Sequence, residues 1–408
     1  MFNKLQKILP FVLQITIKLG AIGLGVFTNR WLNQYLPAIE RADYAVATSF
    51  TTIAVSFVSF GISNHVQKFF TSREFSHNRD QLFSMSLVAR VASYFVGIVF
   101  ILCTFWLVDS QILGLIIGLY TAQFILLADI SFKSITDSFG NSWQFSITDF
   151  GSKLALVGSL YGLVFWSKDL ANLTTFVWIS IVVYFGAFIA DFLWQKKHFR
   201  LVRFPLSLFK KHTKSMLYLG VSAFLYALYS RFGIFLIDSN DYNAKNAFDN
   251  AIKIYEICTV PASLLVPILV SKIKIEHDNG QKLWNSIRKY FEICFGASLL
   301  IFGLCFLLAY PMVWIVGADK FPLTVEYFQI LSFGLIIVPF VWFLGQLSII
   351  FNQEKNELIS TLANCTFGIV SLLALNRAFG YSGILYAFVL TLVFDLIFKF
   401  ILFSKIKF

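Results

Sequence analysis

The chain has 408 residues, 58% of them hydrophobic and 13% charged, and carries a formal net charge of +11. Soluble domains run at about 45–50% apolar and about 25% charged, so a soluble enzyme or soluble nucleic-acid binder is excluded and a polytopic all-α membrane protein is expected. The positive charge lies in short segments between apolar runs, where membrane topology accounts for it, and no nucleic-acid-binding motif accompanies it.

A helix needs about 20 mostly apolar residues to cross a bilayer. Windows of that length predict about twelve spans, at residues 8–28, 45–66, 84–108, 112–132, 143–166, 173–194, 215–237, 247–270, 290–316, 326–351, 358–375 and 383–403. Lys4 and Lys7 precede the first span as they would a signal peptide, but the apolar run continues to Trp31 without a small-residue cleavage site, so a retained helix is expected. Trp31, Trp106, Trp143, Trp166, Trp194 and Trp314 fall near span ends, where indole favours the interface. Between spans six and seven lies QKKHFRLVRFPLSLFKKHTK, residues 195–214, with seven Lys or Arg and no acid. Each such cation at the bilayer centre would cost at least about 2.5 kcal/mol, so the segment stays on one side, and positive loops stay cytoplasmic. It reads either as a strip on the anionic inner leaflet or as a solvated linker. With this loop inside, both termini are cytoplasmic, and Lys and Arg on that side outnumber those opposite by more than three to one. Six spans on either side divide the chain into lobes at residues 1–204 and 205–408, the layout of a duplicated transporter.

The five cysteines lie in apolar segments without CxxC spacing, and the five histidines lie in or near cytoplasmic loops without metal spacing, so neither a metal site nor a disulfide framework is predicted. No Walker A sequence occurs and no cofactor is predicted. Charges inside spans are costly and mark ion or substrate paths. Lys18 lies mid-depth in span one, Arg90 in span three, and Asp149 and Lys153 stand one turn apart on span five. Arg231, Lys253 and Glu256 occupy spans seven and eight, and Asp395 and Lys399 repeat the i, i+4 spacing on span twelve. Pro261 and Pro267 in span eight, Pro311 in span nine and Pro339 in span ten remove backbone hydrogen bonds, which serves either a pivot or packing.

The opening LQKILPFVLQITIKLGAIGLGVFTNRWL, the approach to span eight NAKNAFDNAIKIYEICTVPASLLVPILVSKI, and the six-plus-six layout resemble the polysaccharide flippases, the O-antigen and lipid-linked oligosaccharide translocases of the multidrug/oligosaccharidyl-lipid/polysaccharide (MOP) exporter superfamily. Lys18 and Arg30 stand where those proteins carry a mid-span basic residue and an outer Arg. The glycine common before their second and eighth helices is absent, with Ala42, Asp43, Tyr44 and Ala247, Phe248 in its place. The resemblance implies two six-helix lobes around a central cavity in a bacterial or archaeal cytoplasmic membrane. It also implies a flippase that moves a polyprenyl-pyrophosphate-linked oligosaccharide to the outer leaflet by alternating access, with membrane lipids and polysaccharide-assembly proteins as partners.

On that reading Lys18, Arg90 and Lys153 form a cationic cavity for the pyrophosphate, since a phosphate in low dielectric needs nearby positive charge. Gln14, Gln123, Tyr94, Tyr120 and Trp178 are candidate sugar contacts. Asp149, Glu256 and Asp395 are candidates for proton or sodium coupling, or for static helix-pairing ion pairs, and Pro261 and Pro267 are candidate hinges. The rival within the superfamily is an ion-coupled multidrug antiporter, disfavoured by an apparent Lys/Arg surplus in the first lobe; a membrane enzyme of glycan assembly is a further alternative.

Overall fold

The computed structural model describes residues 2–59, 62, 79–104, 112–138, 142–279, 283–351 and 353–404. The far ends of spans two and three, Trp106, His65 and His77 lie outside the described residues. Among those described there are fourteen α-helices and no strands. The first lobe holds α1 (Phe2–Tyr35), α2 (Ala38–Ser59), α3 (Arg79–Thr104), α4 (Leu113–Ser138), α5 (Ser142–Trp166) and α6 (Leu173–Gln195). After the basic loop come α7 (Leu206–Phe232), α8 (Tyr242–Asp278), α9 (Leu283–Leu307), α10 (Ala309–Ile315), α11 (Leu323–Ser332), α12 (Gly334–Ile350), α13 (Glu354–Phe379) and α14 (Tyr381–Ser404).

Each of the twelve expected spans coincides with one helix or with two in succession: α9 and α10 make the ninth, α11 and α12 the tenth. Among the described residues seven helices are individually long and apolar enough to cross a membrane, and α11 and α12, bent by 44°, pass the same test taken together. Among the remaining helices of the first lobe, α4 carries a shorter apolar stretch, Leu113–Asp129, and others bury polar residues. α2, for example, buries Arg41, Thr48, Ser49 and Thr51. The threonine hydroxyls are satisfied within the helix, Thr48 donating to the Tyr44 carbonyl at 2.8 Å.

The break in span nine comes at Leu308, three residues before Pro311, whose ring nitrogen has no hydrogen to give the preceding turn. The bend in span ten is not at its proline. Pro339 lies inside α12, and the helices part at Phe333 and Gly334. There a Cβ on Gly334 would lie 2.9 Å from the Tyr255 hydroxyl of α8, so the bend sits where a glycine admits a close neighbour. α8 runs 37 residues straight through Pro261 and Pro267.

The chain forms two compact units, Met1–Phe224 and Leu225–Phe408, the boundary falling within α7. In the first unit α1 and α5 run side by side. The Trp31 indole donates to the Leu160 carbonyl at 3.1 Å, and Trp31 is fully buried. Trp166 and Trp314, by contrast, are exposed. The beginning of the basic loop is not a free linker. Phe199 is buried with Phe83, 4.4 Å between ring centroids, and Phe132. The backbone amides of Arg200 and Val202 donate to Asp80 Oδ1 at 3.2 Å and Ser84 Oγ at 3.0 Å on α3. The loop is strapped to the first lobe. His198 beside it titrates below the ordinary histidine range through desolvation and then the neighbouring Lys197 charge.

In the second unit a cluster from α8, α9, α12 and α14, including Val270, Ile287, Phe340, Phe343 and Phe403, makes the apolar core. At the α8–α9 corner Glu276 accepts from the hydroxyls of Ser286 and Tyr290, the latter at 2.6 Å, and these bonds hold its carboxyl below the usual carboxylate range.

Candidate functional site: a polar interior in each lobe

In the first lobe the polar interior is built where α4, α5 and α6 meet. Gln144 and Thr148, one turn apart on α5, face Gln195 and Asp191, one turn apart on α6. The Gln195 amide donates to Gln144 Oε1 at 3.2 Å, and the Thr148 hydroxyl lies 2.8 Å from both Asp191 oxygens. The carboxyl of Asp129, from α4, stands within hydrogen-bonding reach of that of Asp191. Both aspartates are nine-tenths buried or more, and Asp129 Oδ1 has no hydrogen-bond partner among the described residues. Two carboxylates in contact repel each other in low dielectric, so sharing a proton or taking up a cation lowers the cost of burying them. Asp149 lies one residue beyond Thr148, and its Oδ1 is 3.1 Å from Lys153 Nζ.

The residues expected to form a cationic cavity lie on three helices of the first lobe, α1, α3 and α5. Lys153 is paired with Asp149 on its own helix. Lys18 is partly buried on α1. Arg90, 2% exposed, contributes to an apolar groove of about 420 Å³ beside Phe124 of α4 and Phe185, Phe188 and Phe192 of α6. Among the candidate sugar contacts, Tyr94 and Tyr120 stack on each other at 5.5 Å between α3 and α4, and the Tyr120 hydroxyl donates to the Tyr94 carbonyl at 3.1 Å. Trp178 is exposed on α6, Gln123 is partly buried, and the Gln14 side chain lies outside the described residues.

Sequence reading missed Asp129 and Asp191. A signal for them existed. Each is a lone acid three residues before the end of an expected span, while Asp149 lies six residues after the start of the span between them. Alternating helix direction then puts all three at one level, toward the side of the basic loop. Counting them, the expected spans of this lobe hold three acids and three bases, and the cationic surplus disappears.

In the second lobe the polar interior lies among α7, α8, α12, α13 and α14. Lys399 Nζ is 2.6 Å from Glu357 Oε1 on α13 and 3.6 Å from Asp395 Oδ2 on its own helix. Ser360 donates to Asp395 Oδ1 at 2.8 Å. Arg231 pairs with Glu256, which is half exposed, and Lys253 pairs with Asp249 at 2.8 Å. Among the described residues no group of three or more His, Cys, Asp or Glu is placed to hold a metal ion.

Neither a family model nor a curated protein matches the chain. Solved structures do, along nearly its whole length. An inward-facing multidrug resistance MATE family transporter of the MOP superfamily aligns with a TM-score of 0.75 at 12% identity, covering 96% of this chain and 96% of that one. The chain has the MATE transporter fold. The MATE multidrug transporter DinF-BH aligns with a TM-score of 0.70 at 16% identity over 96% of this chain and 95% of its own. A MOP superfamily transporter from Pyrococcus furiosus, described as having a binding pocket of reverse polarity that suggests a different function, aligns at 0.66 and 13% identity over 97% and 94%. The MATE fold is all-helical and membrane-spanning, as the composition required, and identities this low speak for the fold alone.

Proposed function

We propose that the protein is an ion-coupled secondary transporter of the MOP superfamily that exports amphipathic organic cations by alternating access. The full-length match to MATE multidrug transporters supports this reading. So does the first lobe's interior. Asp129 and Asp191 form a carboxyl pair that must gain or lose a proton or cation to change its charge, which is what coupling to an ion gradient requires. Asp149 and Asp395 are further coupling candidates, whereas Glu256 is more exposed and paired with Arg231. Pro261 and Pro267 are where α8 would flex if the lobe moves.

A second reading, translocation of a polyprenyl-pyrophosphate-linked oligosaccharide, is favoured by the buried Arg90 and by Lys18, with Lys153 released from Asp149 to complete an anion site. Proteoliposomes decide between them. On the first reading an imposed pH or sodium gradient drives accumulation of a lipophilic cation dye, Asp129→Asn and Asp191→Asn each reduce it at least about tenfold, and labelled lipid-linked oligosaccharide stays on its original leaflet. Movement of that lipid, lost in Arg90→Ala and Lys18→Ala, with no dye transport, would replace the first reading by the second.

A further inference from the structure

A groove of about 600 Å³ opens on the second lobe between span ten and α14. It straddles the bend of span ten, with Ile330 on α11, Ile337 on α12 and Phe333 where the two helices part by 44°. Facing them on α14 are Tyr386, Leu390 and Val393, at the three-and-four spacing of one helix face. Every lining residue is apolar apart from the single hydroxyl of Tyr386. Phe333, Tyr386 and Leu390 are 47%, 45% and 44% exposed. They belong to helices that cross the membrane, so what they leave open meets oil rather than water.

One turn above this groove the surface turns polar. Glu326 precedes Ile330 by four residues on α11, and Ser382 precedes Tyr386 by four on α14, so each shares the face of its helix that lines the groove. The two meet, the Ser382 hydroxyl donating to Glu326 Oε1 at 3.4 Å. Glu326 is exposed, and among the described residues no Lys or Arg lies within ion-pair distance of it. Arg377, also exposed, stands in the last turn of α13 at the same end. Counted from the basic loop, spans ten and twelve begin on the side opposite that loop, and span eleven ends there. The eleven residues from Ser382 to Val393 rise about 16 Å at about 1.5 Å per residue, close to half of the roughly 30 Å of oil in a bilayer. Mouth and groove together therefore measure one leaflet, with the carboxylate at headgroup level and the far end near the midplane.

We propose that this groove is a lipid site in the leaflet opposite the basic loop, holding one acyl chain of a phospholipid whose head carries a primary ammonium. The chain lies in the apolar slot, where it gains dispersion contacts and meets almost no polar atom. The ammonium sits on Glu326, and Arg377 supplies the opposite charge for the phosphate. A carboxylate at the mouth repels a purely anionic head. A primary ammonium donates hydrogen bonds to that carboxylate, whereas the quaternary nitrogen of choline has no hydrogen to give. Seated across the bend, the chain supports both arms of span ten. The site uses none of the polar groups inside either lobe, so it stands apart from the transport reading, and lipid retention without any transport would leave it intact.

Native mass spectrometry of the purified full-length protein, offered phosphatidylethanolamine, phosphatidylcholine and phosphatidylglycerol with the same acyl chains, tests it. Wild type should retain the ethanolamine lipid about threefold better than either of the others, the scale of an exposed ion pair. Glu326→Gln should erase that preference and leave the chains bound. Leu390→Trp, which fills the groove from a position already exposed, should lower retention of all three lipids. Should Leu390→Trp fail to fold, the surface change Glu326→Gln carries the test by itself. Equal retention of the three lipids by wild type, or a wild-type pattern kept by Glu326→Gln or by Leu390→Trp, would overturn the proposal. So would a dimer that Leu390→Trp abolishes while no lipid is retained, which would assign the face to a second copy of the chain, or binding of the lipophilic dye there in place of lipid.

Discussion

The two lobes bury charge in opposite ways. In the first, Asp129 and Asp191 face each other with a threonine hydroxyl as the donor at hand, and the nearby lysine is taken by Asp149. In the second, a lysine sits inside its acids, 2.6 Å from Glu357. A carboxyl pair costs least when it takes up a proton or ion, while a lysine between carboxyls is nearly compensated by the chain itself. The first interior is thus poised to change its charge. The second is built to keep it within one unit.

The sharpest way to break this contrast is to remove the internal cation. Lys399→Met leaves two carboxyls without their ammonium and should destabilise the protein by about 3–5 kcal/mol, the cost of stripping one partner from a buried pair, read as a lowered thermal midpoint in detergent. If the loss is small, the second lobe is not held by its lysine and the contrast fails. Gly97→Ala probes the packing behind the first lobe: its Cβ would lie 1.9 Å from the Tyr120 hydroxyl, and overpacking of this kind costs about 1–3 kcal/mol. Thr148→Val keeps the shape and deletes the donor to Asp191; a hydrogen bond between membrane helices is worth about 0.6 kcal/mol on average, so stability should move little while ion coupling in the dye assay shifts clearly. The smallest effect is expected at Glu276, on the second lobe's surface. Its depressed folded value means that the stabilisation is present above the unfolded carboxylate pKa of about 4.3 and is lost as the pH falls through the folded value. Glu276→Gln should therefore have a slightly lower thermal midpoint than wild type at neutral pH and match it in strong acid.

The course of the helices was legible because hydrocarbon demands about 20 apolar residues in a row, and that demand is written directly into the sequence. Breaks were less so. Proline was the expected marker, yet span ten bends at Gly334, where the cause is a tyrosine on another helix, and α8 stays helical through two prolines. Window-by-window reading also favours charges at mid-depth, which is why Lys18 and Lys153 stood out while Asp129 and Asp191, near span ends, did not. Their importance comes from three helices placing them at one level, and the partner of an intramembrane charge is a tertiary fact. Glu357 shows the same limit: it precedes the window for span eleven and reads as a loop acid until α14 brings Lys399 beside it.

At about 1.5 Å per residue, the 37 residues of α8 extend roughly 55 Å, far more than the roughly 30 Å of oil in a bilayer. Turns beyond the oil therefore form a stalk on the membrane-embedded part, tied to α9 at the Glu276 corner. A spin label on that stalk would register small tilts of the helix as large displacements, giving a lever arm for watching the second lobe work without touching its interior.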